Sequence, residues 1–106
     1  MTIISSQHFI DWEIVESKME SLKDAKSVII PCWSIGEIDG EEYAIMYDGH
    51  HTITAARELG LEIDFDIEEE PEGLTGETAM EARWIDGDWY NVEESNPAYE
   101  EYALVW

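Results

Sequence analysis

The sequence predicts an α+β fold from three local patterns. Residues 41–47 alternate in apolar character directly after Asp39-Gly40, a dipeptide favoured in tight hairpin turns. Apolar residues then recur at helical spacing from 53 to 59, ahead of Gly60 at the position of a helix C-cap. Residues 61–67 alternate strictly between apolar and acidic side chains, as a strand with one buried face does. Strands and helices are therefore expected to follow one another along the chain.

The length is enough for one domain. A chain of 106 residues with 44% hydrophobic residues can bury one core and is too short for two. Residues 68–73 contain four Glu, a Pro and a Gly, which predicts a loop. We therefore expect a core over residues 1–70 and an acidic, aromatic-rich C-terminal extension over residues 71–106 that packs on it.

The elements of the first half follow in order from propensity and periodicity. Thr2 to Ile4 is a short β-branched stretch, and Asp11 to Lys26 fits a helix. Its apolar stripe has four members: Ile14, Val15, Met19 and Leu22. A capping-box pattern at 17–20 leaves open a later start of the regular helix. Residues 27–33 read as a strand ended by Pro31 or shortly after, and residues 34–38 pair with 41–47 as a hairpin.

The second half is richer in aromatic residues. A helix is expected from Gly76 to Trp84, and Asp86-Gly87 suggests a turn that leads to Trp89 and Tyr90. Trp84, Trp89 and Tyr90 could form an aromatic platform for a ligand, but packing in the core is the favoured use. The last segment is expected to be an appended helix, with a stripe that consists of Tyr99, Tyr102, Ala103 and Trp106.

Charge is the most unusual global property. The chain has 26 acidic and 5 basic residues, a formal net charge of −21, and such a surface repels nucleic acids and anionic membranes. We therefore do not expect the protein to bind nucleic acids directly. The acidity is either an ordinary solvated face or an array of carboxylates that imitates DNA and occupies a basic DNA-binding protein. Residues 62–106 carry 15 acidic residues against Arg83 alone, so they are the better candidate for an acidic docking face.

Cysteine and membrane signals point to a soluble protein of the cytoplasm. Cys32 is the single cysteine, so no internal disulfide can form, and no Cys/His cluster has zinc-site spacing. We expect Cys32 to be a buried thiol and not a nucleophile. No stretch approaches the apolar length that a membrane span needs. The acidic residues 64–68 begin like a calcium loop, but Glu69 stands where that loop requires glycine.

The candidate site is the turn between the second hairpin strand and the following helix. A glycine turn that opens a helix leaves backbone N–H groups free, and the positive helix end favours an anion. Gly49 would let a ligand approach the backbone, and His50 and His51 add imidazole groups. Asp48 could orient a histidine, cap the helix or hold a metal ion, and Thr52 offers a hydroxyl. A plain turn with a helix cap is the alternative interpretation.

Residues 41–61, read as EEYAIMYDGHHTITAARELGL, resemble the core of the ParB N-terminal-like, or ParB/sulfiredoxin, superfamily. The resemblance extends more loosely over residues 14–67. It implies a single ParB/sulfiredoxin-like domain with a small mixed sheet flanked by helices, a protein of phage, plasmid or mobile-element type, and a phosphate-binding loop at residues 48–51.

Departures from the family motifs narrow what the resemblance implies. His50 stands where sulfiredoxins have a catalytic cysteine, so sulfinic-acid reduction is not expected. The two arginines with which ParB proteins hold CTP correspond here to His51 and Thr52. The similar branch is the one with an Asp-Gly-His-His-Arg motif, which includes nucleotide-dependent kinases of free serine. Thr52 replaces its arginine, and Arg57 is the residue that could reach back.

The expected function is binding of a nucleotide or other phosphate-containing ligand. Asp48, His50 and His51 are the candidate catalytic residues, whereas Gly49, Thr52 and Arg57 are expected to contact the ligand. Asp48 is also the candidate ligand of an accompanying Mg²⁺. If the site is catalytic, the chemistry would be phosphotransfer or nucleotide hydrolysis. The alternative is an acidic DNA mimic or inhibitor of a basic host DNA-binding or defence protein, in which the motif is a structural relic.

Overall fold

A computed structural model describes residues 1–106 as three helices and one mixed five-stranded sheet. The strands are β1 (Thr2–Ser5), β2 (Ser27–Ile38), β3 (Glu41–Met46), β4 (Glu62–Glu69) and β5 (Tyr90–Asn91), and the helices are α1 (Trp12–Leu22), α2 (His50–Leu59) and α3 (Gly76–Arg83). The strand order is β4-β2-β3-β1-β5. β1 and β3 are parallel, as are β2 and β4, whereas β2 and β3 form an antiparallel hairpin. The predicted α+β class with a mixed sheet and flanking helices is confirmed.

Both faces of the sheet are covered, because β1 and β3 bury side chains on each side. Ala44 and Met46 belong to one core, which α2 covers through Ile53 and Ala56. The intervening residues of β3 belong to a second core on the opposite face, which α3 covers through Ala79. Alternate side chains of a strand point to opposite faces, so a central strand buried on both faces needs apolar residues throughout.

The Asp39-Gly40 hairpin and the Gly60 cap form as predicted. Asp39 and Gly40 both have positive φ, 52° and 84°, as a two-residue hairpin turn requires. Gly60 ends α2 with φ of 70°, and its N–H donates to carbonyls of the last helical turn. α1 begins at Trp12 and is capped by the Asp11 carboxylate, so the later start at the capping-box pattern of residue 17 is not used. The helix ends at Leu22, four residues before the predicted end at Lys26.

Two predicted strand ends are wrong. β2 continues through Pro31 to Ile38, because pairing with β3 begins only at Cys32, and a strand with one neighbour tolerates a missing N–H. β4 extends into the expected loop as far as Glu69, since it pairs with β2 along its whole length. Its apolar side packs on the core at Phe65, but Ile67 is 38% exposed.

The prediction of an appended C-terminal helix is also wrong. The segment after Asn91 contains a short 3-10 turn at Pro97–Tyr99 and then runs extended. Its backbone bonds go to other segments: the N–H of Asn91 donates to Ala103 at 2.9 Å, and Val105 donates to Trp89 at 3.1 Å. Helical hydrogen bonds are therefore replaced by strand-like ones. Residues 71–106 supply α3 and β5 to the same fold as residues 1–70.

The expectation for Cys32 is met, and the one for the aromatic residues is met only in part. Cys32 is fully buried, and burial, with Asp66 and Glu93, raises its thiol pKa to about 12. Tyr90 is a core residue, whereas Trp84 is exposed, so only part of the aromatic group packs in the core. None of the helices is long and apolar enough to cross a membrane.

Candidate functional site

The N-terminus of α2 faces a small cavity. The cavity encloses about 250 Å³ and has nine lining residues: Gln7, Ile14, Lys18, Tyr47, Asp48, Gly49, His50, His51 and Thr52. The predicted residues 48–52 thus lie together. Ile14 and Lys18, four residues apart on α1, form the facing wall because α1 packs against α2.

Gly49 makes this helix start open to a ligand. It has φ of 116°, a region that non-glycine residues avoid. A Cβ there would lie 3.2 Å from Ile30 Cγ2, so the backbone also packs too closely on β2 for a larger residue. No side chain caps α2, and the first backbone N–H groups of a helix have no partner within the helix. The cavity therefore meets an uncapped, positive helix end.

His50 is buried in the cavity wall. The residue is 3% exposed, and neither ring nitrogen makes a hydrogen bond of normal geometry, although backbone groups of Phe9 and His8 lie close enough to act on its pKa. Burial, with a smaller contribution from the adjacent His51, lowers the His50 pKa to about 4, although the backbone of Phe9 and His8 partly offsets that change. His50 is therefore neutral at pH 7. Buried polar atoms are normally hydrogen-bonded, and the ring nitrogens of His50 have only the nearby backbone of Phe9 and His8, without a bond of normal geometry.

His51 already has a structural partner. Its Nε2 accepts the backbone N–H of Asp11 at 3.0 Å, which places the hydrogen of a neutral ring on Nδ1. This bond ties the start of α1 to the start of α2, and the Asp11 carboxylate in turn accepts the N–H of Glu13 at 3.0 Å. The Nε2 lone pair of His51 is consequently engaged and cannot act as a general base while the bond persists.

The remaining predicted residues divide into two groups. Asp48 is exposed and Thr52 half-buried, and both line the cavity. Arg57 does not reach back to the turn: its guanidinium donates to the Val92 carbonyl at 2.6 Å, because Arg57 lies on the part of α2 that packs on the C-terminal segment. Burial lowers the Arg57 pKa. Arg57 therefore makes a structural contact and does not line the cavity, and its contact with a ligand stays a prediction.

Lys18 is the cation that sequence patterns missed. It lines the cavity from α1 and is the only basic residue to do so. Lys18 lies one helical turn after Ile14, which could have suggested that both residues line one site. The sequence does not show, however, that α1 packs against α2. The cavity lining includes none of the carboxylates of α1 or β2, which are Glu13, Glu16, Glu20 and Glu37.

The metal assignment rests on Asp48 alone. Asp48 is the one carboxylate in the cavity lining, and no cluster of three or more His, Cys, Asp or Glu side chains could hold a metal ion. Mg²⁺ in nucleotide sites is commonly held by one or two carboxylates together with the phosphates and water. The residues present therefore fit an ion that arrives with a phosphate ligand.

Comparisons with protein-family models, with curated proteins and with solved structures found no match to this chain. The family resemblance thus stays a prediction that depends on the motif residues.

Proposed function

We propose that this protein is a ParB/sulfiredoxin-like domain protein of phage, plasmid or mobile-element type that binds a nucleotide or another phosphate-containing ligand at the N-terminus of α2. The observation that carries the proposal is the uncapped start of α2, beside His50, a buried histidine without a hydrogen bond of normal geometry at either ring nitrogen. A phosphate oxygen would accept hydrogen bonds from the free backbone N–H groups and, after rotation of the buried ring, from one nitrogen of His50.

The size and charge of the cavity indicate which part of the ligand enters. About 250 Å³ is below the roughly 300–1,000 Å³ of sites that enclose whole drug-sized ligands. A phosphate group would therefore be enclosed and the remainder of a nucleotide would extend outward. Thr52 replaces the arginine of the family motif, and Lys18 would supply the positive charge that this replacement removes.

A magnesium ion with the phosphates would be held by Asp48 and would offset the repulsion of a chain at −21. It would supply electrostatic stabilisation of the phosphate charge. If phosphotransfer or hydrolysis occurs, neutral His50 would serve as a hydrogen-bond donor to a phosphate oxygen, since its pKa of about 4 makes it a weak base. His51 would keep α1 and α2 together around the ligand.

Calorimetry with inorganic phosphate, ATP, ADP and CTP, each with and without Mg²⁺, tests this function. We expect heat with at least one phosphate ligand, and loss of that heat in His50→Ala. Lys18→Gln should weaken binding by about 3- to 10-fold, as expected for one charge-assisted contact, whereas Lys26→Gln, which removes a charge outside the cavity, should not. Absence of heat with every ligand would refute the proposal.

The two histidines are to be replaced separately. His51→Ala removes the acceptor of the Asp11 N–H and should lower the melting temperature as well as the affinity. His50→Ala should reduce affinity with a smaller effect on melting, because His50 makes no hydrogen bond of normal geometry that can be lost. A large melting change in His50→Ala with unchanged affinity would favour a purely structural turn.

The acidic-mimic alternative has one specific observation in its favour. Four carboxylates line one side of the edge strand β4: Glu62, Asp64, Asp66 and Glu68. Alternate residues of a strand are about 7 Å apart, so these charges form a regular row. If the row imitates DNA, the native chain should capture a basic DNA-binding protein, and duplex DNA should displace that protein. Replacing all four carboxylates by their amides should abolish the capture. Capture that survives the replacement would exclude this surface.

A further inference from the structure

A second and larger cavity lies on the sheet face that α3 covers. It encloses about 570 Å³, and the residues that matter for its chemistry are three tryptophans and three carboxylates: Trp84, Trp89, Trp106, Glu77, Glu81 and Asp88. Met80 completes the lining, and no basic side chain contributes to it. The cavity is separate from the one at the α2 N-terminus, with which it shares no residue.

The aromatic walls are held in place by contacts outside the cavity. The indole N–H of Trp84 donates to the Gly87 carbonyl at 2.8 Å, and the backbone carbonyl of Trp89 accepts the N–H of Val105 at 3.1 Å. The Trp106 ring lies 5.3 Å from the ring of Tyr43. The Trp89 side chain packs partly against the core that α3 covers, so all three rings have defined neighbours before any ligand binds, which reduces the entropy that binding costs.

Two of the three rings are unusually exposed. Trp84 and Trp106 are 56% and 58% accessible, although tryptophan usually buries most of its large surface. Exposed aromatic faces grouped around one cavity commonly mark a binding site. Here they lie beside carboxylates from two consecutive turns of α3, Glu77 and Glu81, and from Asp88 in the following loop. Aromatic faces and carboxylates both attract cations.

The chain contains an internal example of the recognition that this combination allows. The guanidinium carbon of Arg83 lies 4.7 Å from the centre of the Trp33 ring. The same guanidinium donates to the buried carboxylate of Glu70 and lies 3.4 Å from Glu72. A planar guanidinium can stack on an aromatic ring and pair with carboxylates at once, which an ammonium does less well. The larger cavity offers the same two kinds of group without an arginine.

We propose that the Trp84–Trp89–Trp106 cavity binds the guanidinium of an arginine side chain presented by a partner protein. The charge of the two surfaces would be complementary, since the cavity carries three carboxylates and the whole chain a net charge of −21. At about 570 Å³ the cavity has room for the aliphatic stem and the flanking backbone of the arginine. This proposal depends neither on the phosphate site nor on the row of carboxylates on β4.

Tryptophan indole signals in ¹⁵N-resolved NMR spectra provide the test. The protein has five tryptophans, of which Trp84, Trp89 and Trp106 line the cavity, while Trp12 and Trp33 lie elsewhere and serve as internal controls. N-acetyl-arginine-N-methylamide should shift the three cavity signals and leave the two controls unchanged. Its citrulline analogue has the same shape without the charge and should bind at least ten-fold more weakly.

Two variants of the cavity, each with a matched control, complete the experiment. Replacing Glu77, Glu81 and Asp88 by their amides should weaken arginine binding at least ten-fold, whereas the same change at three carboxylates away from the cavity, Glu62, Glu93 and Glu94, should change it less than two-fold. Trp84→Leu should weaken binding about 3- to 10-fold, as expected for loss of one cation–π contact. The exposed Trp12 provides the matched change, Trp12→Leu, which should have no effect.

Several outcomes would overturn the proposal. Equal binding of the citrulline analogue would indicate an apolar site, and equal weakening in the two amide variants would indicate unspecific attraction to the acidic chain. Binding of choline as tight as or tighter than that of the arginine derivative would point to a small free ammonium ligand. Absence of any shift at the three cavity tryptophans would exclude arginine binding.

Discussion

Burial of His50 beside His51 predicts a pH-dependent loss of stability that one substitution removes. The folded pKa of His50 is about 4, whereas an unfolded histidine has a pKa of about 6.5. Between these values the unfolded chain binds a proton that the folded chain excludes. The contribution of His50 to the free energy of unfolding is therefore retained above the unfolded pKa and falls as the pH drops towards the folded pKa.

The magnitude follows from the two pKa values. Proton linkage with a folded pKa of about 4 gives a loss of about 2 kcal/mol between roughly pH 7 and pH 5. Neutralisation of the acidic surface over the same range acts in the opposite direction by reducing charge repulsion. Because that effect is common to the native chain and to His50→Gln, the difference between the two chains isolates His50.

Urea unfolding followed by tryptophan fluorescence at both pH values, without added metal or phosphate, is the assay. The native chain should lose about 2 kcal/mol more than His50→Gln on acidification. Equal changes, within about 0.5 kcal/mol, would refute the reasoning, since they would mean that His50 takes up its proton without unfolding. An NMR titration of the His50 ring, with a midpoint near 4, would provide an independent measurement.

Three further predictions concern stability and reactivity. Gly49→Ala should lower the free energy of unfolding by about 1–3 kcal/mol, because φ is 116° and a Cβ would lie 3.2 Å from the Ile30 side chain of β2. Gly73→Ala should cost less, about 1 kcal/mol, because Gly73 has φ of 70° with open space around it. Equal losses by urea unfolding would contradict this difference. Cys32, whose pKa is raised to about 12, should react with Ellman's reagent near neutral pH only after unfolding, and rapid labelling of the native chain would contradict this. Glu70→Gln should lower the melting temperature more than Glu72→Gln, since Glu70 is buried and accepts two backbone N–H groups as well as the arginine; similar melting shifts would argue against that difference.

The carboxylate of Glu70 also predicts an acid dependence. Burial alone would raise its pKa, but hydrogen bonds from Arg83 and from the N–H groups of Leu74 and Glu72 outweigh burial and lower it. Stability from this group is thus present above the unfolded pKa of a glutamate and is lost as the pH falls through the lower folded value.

Features set by neighbouring residues were predictable from the sequence. The Asp39-Gly40 turn and the Gly60 cap depend on backbone conformations that few other residues adopt. The α2 helix and the motif turn follow from the same local rules, so the grouping of residues 48–52 around one cavity could be expected. Local chemistry decides such features because their hydrogen bonds close within a few residues.

Features set by distant partners were not predictable. The extended C-terminal segment satisfies its backbone at Asn91 and Trp89, and its aromatic spacing fits a helix equally well. Lys18 lines the cavity at the N-terminus of α2 because α1 packs on α2. Arg57 lies outside this cavity, and its guanidinium donates to the Val92 carbonyl. These outcomes depend on which elements meet in the folded chain, which a single sequence does not specify.

The row of carboxylates on β4 has a consequence for the behaviour of the protein in solution. β4 lies at the edge of the sheet, with backbone groups open to pairing with another copy. The acidic side chains of this row keep two such edges apart by mutual repulsion. A lower net charge of the chain, or concentrated divalent cations, would reduce that repulsion, and we expect intermolecular sheet extension under those conditions. Near the isoelectric point of about 4.1, we therefore expect purification and crystallisation to yield associated chains and not single molecules.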